Sequence, residues 1–150
     1  MGSQGNLGES ELALKLFVVL ARANRAVTDR IKEDIKSHGL NPTEFGVLEL
    51  LFHKGDQPIQ QIGEKVLLSS GSMTYVIDKL EEKKFLRRKP CPSDRRITYA
   101  TITDEGRELM EEIFPKHREA VREMFSGLDS VEQQTMIELL KKLGFSVEKE

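Results

Sequence analysis

"LLSSGSMTYVIDKLEEKKFLRRKPCPSDRRITYATIT", residues 67–103, decides the fold. It opens on small polar residues, Ser69, Ser70, Gly71 and Ser72, of which Ser69 or Ser70 can cap a helix. Met73, Val76, Ile77 and Leu80 then recur at intervals of three and four, the apolar stripe of an amphipathic helix. Past that helix the period shortens. Phe85–Lys89 and Ile97–Ile102 read as two strands, and the residues between them, Pro90, Pro92, Ser93 and Asp94, are turn formers. Thr103 is placed to cap the next helix, with Asp104 and Glu105 at its positive end. A capped helix therefore runs straight into a hairpin with Arg95 and Arg96 at its tip.

Upstream, Leu12, Leu16, Val19, Leu20, Ala23, Val27, Ile31 and Ile35 predict a first helix of roughly 26 residues that ends near Gly39. "NPTEFGVLELLFHKG" (41–55) predicts a second, with Asn41 as cap, Pro42 in the first turn, Glu44 closing a capping box and Gly55 as the stop. "DQPIQQIGEKV" (56–66) predicts a short third helix with Pro58 near its start and Ile59, Ile62 and Val66 inward. Downstream, a helix is expected from about Asp104 to Ser126, bent at Pro115 rather than divided there. A last one covers "SVEQQTMIELLKKLG" (130–144).

The expected fold is mainly α with a small β-hairpin wing: a winged helix-turn-helix flanked by N- and C-terminal dimerisation helices. The expected divisions are a flexible leader (1–9), a dimerisation helix (10–40), the winged helix-turn-helix (41–103) and C-terminal helices completing the dimerisation region (104–150). The terminal helices carry wide apolar stripes with nothing evident in their own chain to cover them, so they are expected to pair in a two-fold homodimer.

Two helices joined by a tight turn outline a DNA reader whose second helix enters the major groove by its N-terminal turn. Ser69, Ser70, Gly71 and Ser72 would let that end approach phosphates, and its free N–H groups can bind them. Thr74, Tyr75 and Lys79 lie one to two turns further on, within reach of bases or backbone. The hairpin tip would probe the neighbouring minor groove, where negative potential favours arginine. Arg96, with Arg95 beside it, would insert, and Asp94 would aim the tip.

Charge agrees with this placement. The chain of 150 residues has a net charge of −2, yet Lys79–Arg96 holds eight Lys/Arg against three Asp/Glu, and the chain from Asp104 onward holds seven against twelve. A polyanion would therefore meet the middle of the chain. A single cysteine, Cys91, excludes an intramolecular disulfide. No apolar run approaches the ~18 residues of a membrane span and no signal peptide is evident, so a cytoplasmic protein is expected.

"DRRITYATIT" (94–103) resembles the wing signature of the MarR family of bacterial transcription regulators: Asp94, Arg96, then Ile102 and Thr103 after five residues. "LLSSGSMTYVIDKLEEKKFLRR" (67–88) is similar to that family's recognition helix running into its wing, and the helix order matches over about residues 10–145. Ile102 stands where the family more often has Leu. The resemblance implies a homodimeric regulator, usually a repressor, on a pseudo-palindromic operator in double-stranded DNA. It implies Arg96 in the minor groove, oriented by Asp94, with Ser69, Ser70, Ser72, Thr74 and Tyr75 toward the major groove. It also implies a switch: a small molecule bound between the dimer helices and the DNA-binding lobe, phenolic compounds being frequent ligands, or oxidation of a cysteine.

Cys91, beside Lys89 and within reach of Arg88 or Arg95, is the one candidate for a redox or electrophile switch. His38, His53 and His117 show no metal-binding spacing and read as helix-end or surface residues, so no metal is expected. No nucleophile elbow, phosphate loop or paired-histidine motif is present, so neither an enzyme nor a cofactor is expected. The other class to weigh is a winged helix that binds only protein, which would have no use for an arginine-tipped wing.

Overall fold

The computed structural model describes residues 2–67 and 71–148, and side chains from Gly8 onward within those spans. In chain order it contains α1 (Gly2–Ser37), α2 (Pro42–Lys54), β1 (Gln57–Pro58), α3 (Ile59–Lys65), α4 (Met73–Glu82), β2 (Leu86–Pro90), β3 (Thr98–Ile102), α5 (Asp104–Met124) and α6 (Ser130–Val147). The fold is the mainly helical winged arrangement expected from the sequence.

α1 is longer than its periodicity suggests. It takes in residues 2–9, read above as a leader. Its strong helix formers from Glu9 to Leu16 nucleate it, and extension from a formed helix adds a hydrogen bond for each residue fixed. α2 follows its caps closely. The Asn41 side chain accepts from the Glu44 N–H at 2.8 Å, and the Glu44 carboxylate accepts from the Asn41 N–H at 3.0 Å. Gly55, at φ +82°, ends the helix.

The sheet is a correction. The wing is not a two-stranded hairpin alone: β1 joins it, in the order β1-β3-β2, with Gln57 opposite Ala100 and Pro58 opposite Tyr99. Pro58 is tolerated because β1 is an edge strand, and Pro90 ends the other edge, β2. β2 and β3 pair from Leu86–Ile102 to Pro90–Thr98. This small sheet and helices α2–α5 enclose the core, in which Leu48, Leu51, Ile62, Ile77, Leu80, Leu86, Ala100 and Met110 are fully buried.

A tight junction ends the wing. The Thr103 hydroxyl accepts from the Gly106 N–H at 3.0 Å, capping α5, and donates to the Lys84 carbonyl at 2.6 Å. The Thr103 N–H donates to the Phe85 carbonyl at 3.1 Å. α5 remains one helix through Pro115. Neither α1 before Leu20 nor α6 has a buried side chain among the described residues. Leu12, Leu14, Leu16 and Phe17 on α1, and Val131, Ile137, Leu139 and Phe145 on α6, are exposed in the single chain. No helix among the described residues is long and apolar enough to cross a membrane.

Candidate nucleic-acid interface

α4 is capped by Ser72, whose hydroxyl accepts from the Tyr75 N–H at 3.4 Å, not by Ser69 or Ser70 as expected. Gly71, at φ +77°, turns the chain just before it, a conformation that glycine adopts without penalty. The helix therefore starts after the turn, and Ser72 becomes the first residue placed to cap. Ser69 and Ser70 lie outside the described residues. Val76, Ile77 and Leu80 anchor α4 in the core. Ser72, Thr74 and Tyr75 are exposed on its other side, and Lys79 is half-buried. The Lys79 ammonium sits 5.5 Å from the centre of the Tyr75 ring and 3.6 Å from the Glu82 carboxylate. These four residues share the outward side of α4.

The wing tip holds Asp94, Arg95 and Arg96 together. The Asp94 carboxylate accepts from Arg96 three times: Nε at 3.1 Å, Nη2 at 3.0 Å and the backbone N–H at 3.0 Å. The Arg96 side chain is nonetheless 89% exposed, so its guanidinium is oriented yet open to a ligand. The Arg96 hydrogen bonds, side chain first and backbone second, hold the Asp94 carboxyl below the usual carboxylate range. The Arg96 carbonyl accepts from Gln60 Nε2 at 3.2 Å, which ties the tip to α3. Across the turn, the Cys91 N–H donates to the Ile97 carbonyl at 3.0 Å.

Cys91 is half-buried, with Sγ 3.3 Å from Ser93 Oγ. Its thiol is held below the usual thiol range, by the Ser93 hydroxyl first and the Ser93 backbone next. The expected cause was neighbouring lysine or arginine. Arg88 is occupied elsewhere, by hydrogen bonds to Asp78 and Glu81 on α4.

Of the three histidines, one differs in its surroundings from the expectation. His38 and His53 lie at helix ends, but His117 is buried, not a surface residue. Its Nδ1 is 2.8 Å from Asp34 Oδ2, and its ring packs 4.7 Å from that of Phe45. Asp34 lies 83 residues away in the chain, so spacing could not reveal the pair. Among the described residues no group of three or more His, Cys, Asp or Glu could hold a metal ion.

His117 lines an open cavity of about 990 Å³ between α1, α2, α5 and the end of α3. Its walls are mostly apolar, from Val27, Ile31, Phe45, Leu50, Val66 and Phe114, with Asn24, Thr28, Glu49, His53, Lys54 and Lys65 adding polar groups. Val66 and Leu67, also in its lining, precede α4 by a few residues in the chain. No sequence motif marks this space, because it is assembled from segments far apart in the chain.

A model of the MarR family matches residues 40–98. The chain is 55% identical over 137 residues to the HTH-type transcriptional regulator MhqR of Bacillus subtilis (strain 168), covering 91% of this chain and 94% of that protein. It is 50% identical over 139 residues to the HTH-type regulator YkoM of the same organism, covering 93% and 90%. Among solved structures, Sco3205, a MarR-family regulator from Streptomyces coelicolor in complex with DNA, shares the fold at a TM-score of 0.78, with 21% identity, covering 91% of this chain and 88% of that one. BpsR of Bordetella bronchiseptica, whose DNA binding is regulated by 6-hydroxynicotinic acid, matches at a TM-score of 0.74 with 26% identity, covering 87% and 98%.

Proposed function

This chain belongs to the MarR family, and on that premise we propose that it is a repressor that binds a pseudo-palindromic operator as a homodimer and is released by a small aromatic, phenol-like effector. Membership alone makes it a dimeric DNA-binding transcription regulator rather than an enzyme. The observation that carries the finer reading is the exposed Arg96 guanidinium, held in a fixed direction by Asp94 at the wing tip, beyond a helix whose outer side is polar and open. In this reading Arg96, flanked by Arg95, enters the minor groove. Ser72, Thr74, Tyr75 and Lys79 meet the major groove, together with Ser69 and Ser70. The two recognition helices of the dimer then sit about one DNA turn apart, ~34–36 Å. A protein-only winged helix would leave these exposed, aimed charges without a partner.

The effector half of the proposal is supported by the cavity. Apolar walls with a few convergent polar groups suit a small organic ligand. The ring of Phe45 and the Asp34-bound imidazole of His117 suit an aromatic one bearing a hydroxyl. The regulation of BpsR by a hydroxylated aromatic acid points the same way. Occupancy would press on Val66 and Leu67, which shortly precede α4 in the chain.

The test is selection from random duplexes by the wild-type protein and by Arg96→Ala. An enriched inverted repeat, bound more weakly by the variant, supports the operator reading; no enrichment by wild type at low salt refutes it. Titration of the enriched complex with simple phenols should then release the DNA, and His117→Ala should blunt that release. A second reading, a thiol switch for oxidants or electrophiles, is favoured by the lowered pKa of Cys91. It fails if Cys91→Ser is released normally by oxidant or quinone.

A further inference from the structure

The two neighbouring arginines of β2, Arg87 and Arg88, have different surroundings. Successive residues of a strand point to opposite faces. Arg87 is exposed and makes no ion pair among the described residues. Arg88 turns toward α4, where its guanidinium forks. Nη1 donates to Glu81 Oε1 at 2.5 Å, and Nη2 donates to Asp78 Oδ1 at 2.6 Å. The Arg88 N–H donates to Glu81 Oε2 at 3.3 Å. One side chain thus joins the wing to the helix read as entering the major groove.

Asp78 lies on the part of α4 that looks away from the core, and Glu81 lies at its half-buried margin. At 3.6 residues per turn, Asp78 falls about 60° from Tyr75, whereas Leu80 falls about 140° away. Tyr75 is exposed and Leu80 is fully buried. Asp78 is 54% exposed and Glu81 40%. An unpaired carboxylate at either position would repel a phosphate backbone approaching that face. A planar guanidinium can hold both at once in a fixed geometry, which an ammonium group cannot do equally well.

We propose that Arg88 is a positioning residue for DNA binding, fixing the wing to α4 and offsetting one of the two negative charges of Asp78 and Glu81, while itself making no contact with DNA. It rests on the reading that α4 and the wing are the DNA-facing elements. The phosphate contacts fall instead to basic residues left without an ion pair among the described residues, such as Lys84, Arg87, Lys89 and Arg95.

Fluorescence anisotropy with a mixed-sequence duplex and with the selected duplex, at several salt concentrations, tests this. The proteins are wild type, Arg88→Gln, the pair Asp78→Asn/Glu81→Gln, the triple variant, and Arg96→Ala as the interface control. Thermal unfolding of each confirms that it is folded, and the carboxylate pair supplies the answer if Arg88→Gln alone does not fold. Arg88→Gln should bind about tenfold more weakly, while adding it to the carboxylate pair should cost less than about twofold. The dependence of log K on log salt should keep its slope, because no phosphate contact is lost. Equal losses in both backgrounds, with the slope shallower by about 0.9, would make Arg88 a direct phosphate contact and overturn the proposal. So would wild-type affinity in Arg88→Gln while Arg96→Ala is weakened. If both bind as wild type does, the interface itself is misassigned and the proposal falls with it.

Discussion

Gly106→Ala sets two effects of opposite sign against each other. Gly106 is in the first turn of α5, and alanine there would favour the helix by up to about 1 kcal/mol. A Cβ at this position, however, would lie 2.1 Å from the Phe85 carbonyl oxygen and 2.9 Å from Ile102 Cγ1. The first neighbour is backbone and cannot swing aside. To make room, α5 must back away from the end of the wing. That strains the Thr103 cap, worth about 1 kcal/mol, and the Thr103–Phe85 backbone bond, worth a similar amount. Overpacking adds roughly 1–3 kcal/mol. The net expectation is a loss of about 2 kcal/mol, or a fall in melting temperature of about 4–8 °C for a chain of this size. Circular dichroism at fixed protein concentration measures it, since a dimer's melting point depends on concentration. Gly63→Ala, at an exposed position of α3 with nothing within 4 Å of its Cβ, is the control and should melt at or above wild type. A Gly106→Ala protein as stable as that control would refute the close-approach account of the junction.

Three further outcomes follow from the site and the exposed faces. Asp94 has a folded pKa below its unfolded value, so the contribution of its pair with Arg96 is fully present above the unfolded pKa of about 3.9 and is lost as pH falls through the lower folded value. NMR titration should put the Asp94 midpoint below ~3.9 in wild type and nearer to it in Arg96→Ala; a wild-type midpoint at or above that value contradicts the pairing. Ser93→Ala should raise the Cys91 pKa and slow its alkylation by iodoacetamide at neutral pH, and an unchanged rate would remove Ser93 as the cause. Leu16→Glu and Leu139→Glu put charges on faces that are open in the single chain, at 56% and 58% exposure, and should shift the protein toward monomer in light scattering. A dimer of undiminished stability in both would place the interface elsewhere.

Signals that live within a few residues were legible in the sequence. The Asn41–Glu44 box, the Thr103 cap and the change of period after Phe85 each reflect local backbone chemistry, and each is found where the pattern put it. β1 was not legible: two residues carry no periodicity, and Pro58 ahead of an apolar helix looks like a helix start. The cap of α4 was blurred by three serines close together, and the positive φ of Gly71 decides among positions the sequence leaves equivalent. The Asp94–Arg96 pair could be anticipated because its partners are two residues apart. The Asp34–His117 bond and the cavity around it could not, because they join distant segments through packing. Arg88 shows the limit for charge counting. It adds to the basic surplus of the wing segment, yet its charge is already matched by Asp78 and Glu81.

Hydroxyl-radical footprinting on the selected duplex, with wild type and Arg96→Ala compared at equal occupancy, shows which groove the wing occupies. Protection should be symmetric about a dyad and include flanking minor-groove segments that Arg96→Ala specifically loses while the rest is kept. Flanking protection that survives the substitution would contradict a wing that reads the minor groove through Arg96.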